Sequence, residues 1–214
     1  MNARAGFDER LGAEVKRLHA ANLGRVRRAV SGGHGASITV DGKPCINFCS
    51  NDYLGLAADP RVAEAARKAL AENGTGSGAA ALVSGYNAEH RALEEEIAAY
   101  TKRARALLFS TGWAANLGVL RALLGKDDVL IADELNHASL IDGGRLSGAR
   151  YVRVPHADKD AFAQAVQRET QEPEGQVLLV ADSVFSMDGD IAPLPELSTL
   201  CGRHGVPMMI DDAH

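Results

Sequence analysis

The sequence predicts an α/β fold, a mostly parallel sheet with helices on both faces, and two observations carry the prediction. From about residue 105 onward, apolar runs of strand length alternate with helical stretches. The strands fall near Arg105 to Phe109, Val129 to Asp133, Ala149 to Val154, Gln176 to Asp182 and Pro207 to Asp211. The helices span about Trp113 to Leu123, Ser139 to Leu146, Lys159 to Glu169 and Leu194 to His204. Strand, helix, strand repeated in this way implies right-handed crossovers between parallel neighbours. The second observation is the last stretch, Val206 to His214, an apolar run that ends in two carboxylates and an imidazole. It reads as a buried strand delivering polar groups at its C-terminal tip, the edge where open α/β sheets keep their ligands. Strand alternation sends Asp211 and Asp212 to opposite faces, one toward a ligand and the other toward the scaffold.

With 214 residues, 46% of them hydrophobic, the chain can bury a core of domain size. No apolar run approaches the ~20 residues of a spanning helix, and Met1 to Arg10 lacks the basic-then-apolar pattern of a signal peptide, so a cytoplasmic location is expected. A formal net charge of -5 argues against nucleic-acid binding, although Arg25, Arg27 and Arg28 cluster and could meet an acidic substrate. The three cysteines, Cys45, Cys49 and Cys201, suit core packing in a reducing compartment better than a disulfide framework or a zinc site. No metal site is expected.

Before the alternation begins, Leu11, Val15, Leu18 and Leu23 recur at helical spacing, which predicts an amphipathic helix from Phe7 to about Ala29. Ser37 to Val40 and Lys43 to Phe48 flank Asp41-Gly42, a hairpin signal. Asp59-Pro60 starts a helix that runs to about Ala71, and a further helix covers Ala88 to Thr101. Gly74, Gly76 and Gly78 form a loose glycine pattern between helices. It follows a helix rather than a strand, so it reads as a turn and not as a dinucleotide fingerprint.

Three loops then carry chemistry. Ser110-Thr111-Gly112-Trp113 opens a helix with hydroxyls and a glycine, a pattern suited to a phosphate. Asp133, Glu134, Asn136 and His137 place an imidazole after a strand, and the long polar turn Asp182 to Asp190 follows another. With the terminal Asp-Asp-Ala-His, one sheet edge offers a phosphate cradle, an imidazole, a hydroxyl and a carboxylate. That set suits a phosphorylated aromatic cofactor such as pyridoxal phosphate, whose ring nitrogen a carboxylate keeps protonated.

These motifs resemble the α-oxoamine synthases, pyridoxal phosphate enzymes with the aspartate-aminotransferase-like fold. The resemblance runs through Asn47 to Gly55, Gly76-Ser77-Gly78, Val83-Ser84-Gly85-Tyr86, Asn136-His137-Ala138-Ser139, Val184 to Asp190 and Asp211-Asp212-Ala213-His214. It implies that residues 1–50 form an N-terminal helix and hairpin segment and residues 51–214 an incomplete cofactor-binding large domain, without the small C-terminal domain. It also implies a homodimer in the complete protein. Among the family's reactions, which also yield 2-amino-3-ketobutyrate, 5-aminolevulinate and ketosphinganine, the Ser-Gly-Tyr and Asp-Asp-Ala-His wordings lean toward condensation of L-alanine with a pimeloyl thioester.

Carried over by position, the resemblance implies that Gly112 and Trp113 contact the cofactor through their backbone and that His137 stacks on its ring and touches substrate. Ser186 would contact the cofactor, Asp211 would pair with the ring nitrogen, His214 would bond the phenolic oxygen, and Arg25 would meet the substrate. His137, Asp211 and His214 form the implied catalytic set. Ala80 and Ala81 depart from the family pattern, which often has a hydroxyl or a basic residue there. The family's cofactor-bearing lysine lies beyond the Asp-Asp-Ala-His strand, and Lys16, Lys43, Lys68, Lys102, Lys126 and Lys159 all precede it. These residues alone are therefore expected to be inactive. A lysine-less partner subunit and a nucleotide-binding Rossmann protein are the competing readings.

Overall fold

The structure, a computed structural model, describes residues 3–33, 35–172 and 174–214, with side chains from residue 6 onward. It divides into two compact units, Met1–Gly76 and Ser77–His214. In the first unit α1 (Ala3–Ala20) precedes a small antiparallel sheet of β1 (Val30–Ser31), β2 (Ser37–Val40) and β3 (Lys43–Ile46), followed by α2 (Pro60–Asn73). The β2–β3 register pairs Val40 with Lys43 across Asp41 and Gly42. Both turn residues have positive φ, 49° and 78°. That is the backbone a two-residue hairpin needs to match strand twist, and Asp-Gly supplies it at low cost. Strand β1 was not foreseen.

Helix α1 is shorter than its periodicity predicted. It closes where Asn22 takes a left-handed φ of 56° and Leu23 N–H reaches back to the Leu18 carbonyl, a helix stop for which asparagine substitutes for glycine. Arg25, Arg27 and Arg28 consequently lie past the helix instead of on its face. Cys45 and Cys49 are exposed rather than packed, while Cys201 is buried.

The second unit holds α3 (Ala88–Tyr100), α4 (Gly112–Leu123), β4 (Val129–Asp133), α5 (Ala138–Ser147), β5 (Arg150–Val154), α6 (Lys159–Gln171), β6 (Val177–Asp182), α7 (Leu194–His204) and β7 (Met208–Asp211). A one-turn π-helical segment, Ala81–Gly85, precedes α3. The four strands are parallel in the order β5-β4-β6-β7.

Alternation along the strands builds two cores. Val129, Ile131, Leu179 and Ala181 face Phe162, Val166, Leu197 and Cys201 of α6 and α7. Leu130, Ala132, Leu178 and Val180 face Leu120 and Leu140 of α4 and α5. Both faces of β4 and β6 are therefore buried, which is why their sequences read as unbroken apolar runs. The α4–α5 contact is close because α5 presents Gly143 to it. A Cβ on Gly143 would come within 2.9 Å of Leu120 and 3.1 Å of the Asn116 carbonyl.

One predicted strand does not form. Residues 105–109 join no ladder among the described residues. The Leu108 N–H instead donates to Glu94 Oε1 at 2.8 Å, and the Phe109 ring packs where a Cβ on Gly118 would lie. A strand is a pairing state, so apolar composition alone does not produce one. Among the described residues no helix is long and apolar enough to cross a membrane.

Candidate active site

Strands β4, β6 and β7 end together, in Asp133, Asp182 and Asp211. The chain leaves β4 toward β5 on one side and returns past it to β6 on the other. The carboxyl edge between β4 and β6 is thus a topological switch point, the place where a crevice opens in such sheets. The first link across it runs from the His137 N–H to Asp182 Oδ2 at 2.7 Å. Asn136 adds a second: its Nδ2 donates to the Val180 carbonyl at 3.1 Å and its Oδ1 accepts from Asp182 N–H at 3.1 Å. A buried side-chain amide thus pairs with β6 as a strand backbone would, which fixes the loop that carries His137.

A cavity of about 370 Å³ lies on this edge, lined among others by Gly112, Trp113, Asn116, His137, Ser139, Asp182, Ser186, Asp211, Asp212 and His214. Gly112 and Trp113 open α4, capped by Thr111 Oγ1, which accepts from Ala114 N–H at 3.0 Å. The first N–H groups of a helix have no partner inside it and carry positive partial charge, so this end favours an anion. Trp113 and His137 stand edge to face with ring centroids 6.5 Å apart.

A chain of hydrogen bonds joins the imidazole to the far carboxylate. Asn116 Nδ2 donates to Ser139 Oγ at 2.8 Å and to Asp211 Oδ2 at 2.7 Å. Ser139 Oγ also lies 2.7 Å from His137 Nδ1, and Ser139 N–H approaches the same nitrogen at 3.3 Å. The Ser139 backbone N–H can only donate, so Nδ1 accepts from it and the serine hydroxyl shares its proton with the same nitrogen. Nδ1 is therefore the acceptor nitrogen, and the proton of the neutral ring sits on Nε2. Asn116 fixes the Asp211 carboxylate by the same logic, because both of its amide hydrogens are used.

Asp182 and Asp211 are register partners across β6 and β7 and both line the cavity. Burial of Asp182, followed by the nearby Asp211 charge, raises its pKa above the usual carboxylate range, against the His137 N–H bond that lowers it. Strand β7 ends at Asp211, beyond which strand alternation no longer dictates direction, and Asp211 and Asp212 are both among the residues that border the cavity.

Six of the residues singled out from sequence, Gly112, Trp113, His137, Ser186, Asp211 and His214, thus meet at one cavity. Arg25 belongs to the first unit and is not among the lining residues. Asn116, Ser139 and Asp182 were not singled out as site residues. The cavity offers an anion-binding helix start at Gly112, a fixed carboxylate in Asp211 and an imidazole in His137. Such a donor set fits a flat, phosphorylated heteroaromatic with a protonatable nitrogen.

Comparison with known proteins agrees with this chemistry. Residues 43–214 match the family described as aminotransferase class I and II. The chain belongs to this family. Within the aminotransferase class I and II family, 8-amino-7-oxononanoate synthase of Thioalkalivibrio sulfidiphilus is 52% identical over 204 residues, which cover 95% of this chain and 52% of the relative. The enzyme of the same name from Methylococcus capsulatus is also 52% identical, over 202 residues, 94% of this chain and 51% of the relative. Among solved structures, serine palmitoyltransferase of Sphingomonas wittichii superposes with a TM-score of 0.85 at 31% identity, covering 98% of this chain and 52% of that one. The chain spans about half the length of the curated relatives it matches.

Proposed function

We propose that these residues form the cofactor-facing part of an 8-amino-7-oxononanoate synthase, which condenses L-alanine with a pimeloyl thioester, from coenzyme A or a carrier protein, with loss of carbon dioxide in biotin biosynthesis. The observation that carries the reading is the convergence of His137, Ser186, Asp211, His214 and the α4 start on one cavity. The relatives' shared name supports the choice within the family.

Pyridoxal phosphate, when bound, supplies an electron-withdrawing pyridinium that stabilises a carbanion at an amino-acid α-carbon. Asp211 would hold the proton at the ring nitrogen, and Asn116, bonded to Asp211 Oδ2, keeps that carboxylate from turning away. The backbone N–H groups of Gly112 and Trp113 would take the phosphate, and His137 would cover the ring with its Nε2–H free to meet substrate. Ser186 and His214 complete the polar wall. Arg25 is the proposed substrate contact and a homodimer the proposed assembly of the whole protein. None of the described lysines of the second unit, Lys102, Lys126 and Lys159, lines the cavity. Assayed by themselves, these residues would bind the cofactor without a covalent link and turn nothing over.

The test is to express the full-length protein that carries these residues and to follow products by mass spectrometry with alanine, serine and glycine offered in turn. Release of 8-amino-7-oxononanoate from alanine and a pimeloyl thioester is the expected outcome. A clear preference for serine or glycine would contradict it.

A further inference from the structure

Outside the cavity, a second cluster of ionisable groups sits behind the turn that carries Ser186. His156, at the start of the β5–α6 connection, places Nδ1 3.0 Å from Asp133 Oδ1 and Nε2 2.6 Å from Asp190 Oδ2. A carboxylate only accepts, so two short contacts of this kind require both ring nitrogens to donate, which makes the ring an imidazolium. Its edge meets the Phe185 ring at a centroid distance of 4.3 Å. Asp133 is almost fully buried and held at both oxygens by Leu135 N–H and Ala157 N–H as well, so it is a fixed anchor. Asp190 is 45% exposed and belongs to the turn.

The turn is two-sided. Val184 and Ser186 line the cavity, whereas Phe185 and Asp190 meet His156 on the other side. Its backbone closes on itself through Phe185 N–H to the Asp190 carbonyl at 3.0 Å and Gly189 N–H to the Phe185 carbonyl at 2.7 Å. The Asp190 side chain is the grip through which the ring ties this tip to the sheet edge at β4.

We propose that His156 is a positioning residue, an ionic latch between Asp133 and Asp190 that holds the 183–191 turn from behind and so presents Ser186 to the cofactor cavity. The part that concerns the cofactor rests on the function proposed above; the latch itself does not. Other charges around the ring are Glu134, whose Oε1 accepts from His156 N–H at 3.3 Å and whose Oε2 pairs with Arg153, and Asp158, two residues on at the α6 cap. Burial works against the charged ring, but the bonds and charges of Asp133 and Asp190 outweigh it and raise the His156 pKa. With the folded value raised, the latch is fully present below about 6.5, the ordinary histidine value. It is lost as pH rises through the folded value.

The experiment uses the chain as it stands. Amide hydrogen exchange of residues 183–191, corrected for intrinsic rates, is followed across pH in wild type, Asp190→Ala and Asp190→Glu, with His156 titrated by NMR in parallel. A charge-assisted hydrogen bond contributes about a factor of ten or more. Wild-type protection should therefore fall by about that factor as His156 loses its proton. Asp190→Ala should show the lower protection throughout with no inflection, and Asp190→Glu should restore the inflection. Affinity for pyridoxamine phosphate should fall with the same inflection in wild type. Protection indifferent to pH and to Asp190→Ala would overturn the latch. A turn that responds while affinity does not would overturn the role toward the cofactor. Failure of wild type to bind pyridoxamine phosphate at any pH would contradict the proposed function instead, with the exchange data still deciding the latch.

Discussion

Asn116 shows how a single residue decides the geometry of the cavity. It is buried in a mostly apolar helix, yet both its amide hydrogens reach groups from other elements, Ser139 and Asp211, the latter 95 positions away in sequence. Replacing it with aspartate would set two carboxylates against each other and strip Ser139 of its donor. Asn116→Asp should cost about 2–4 kcal/mol in denaturant unfolding, and Asn116→Ala about 1–3 kcal/mol. Asp182 makes a separate prediction. Its raised pKa means that the folded state holds a proton that the unfolded state releases, so its contribution to stability falls as pH rises from the ordinary carboxylate range toward the folded value. Asp182→Asn keeps an acceptor for the His137 N–H and removes that titration. Thermal unfolding of the variant should therefore fall less steeply than wild type over the same rise in pH; parallel curves would refute the assignment. Asp211 was legible from sequence because it stands at a strand end, where position suggests a role, whereas His137, in the loop after β4, took its role from the family resemblance. Asn116 was not legible, and Ser139 was quoted only as part of a motif, because side-chain pairing between separate elements leaves no periodic trace.

At the scale of elements, Gly143 of α5 sets the distance between α4 and α5, and through it the reach of Asn116. Gly143→Ala forces a Cβ against Leu120 and the Asn116 carbonyl, so it should destabilise by about 1–3 kcal/mol and weaken cofactor binding in step. Gly202 in α7 is the control: nothing lies within 4 Å of its added Cβ, and Gly202→Ala should stabilise by about 0.5–1 kcal/mol. Equal effects of the two, read by chemical denaturation, would contradict the packing argument. Strands β4 and β6 were legible because burial on both faces leaves an unbroken apolar run. Residues 105–109 carry the same signal without a partner strand among the described residues, and α1 stops early because Asn22 turns left-handed. Composition records what a segment can pack against and is silent on whether a neighbour arrives.

For the whole molecule, the exposed glycine-rich stretch 74–78 contains the boundary between the two units. A protease of broad specificity should therefore cut there before it cuts the β4–β7 sheet, a pattern that mass spectrometry of early fragments reads directly; early cleavage within 129–182 would contradict the division. Within the second unit everything proposed depends on three parallel strands ending at one level, so that Asp211, His137 and the α4 start face a common ligand. The most direct test of that claim is the protonation of the ligand's ring. Pyridoxamine phosphate labelled with nitrogen-15 in its ring, bound to the chain and observed by NMR near neutral pH, should carry a protonated ring nitrogen in wild type and in Asp212→Asn. In Asp211→Asn it should stay bound and lose that proton. The same ring protonation in Asp211→Asn as in wild type would contradict the account.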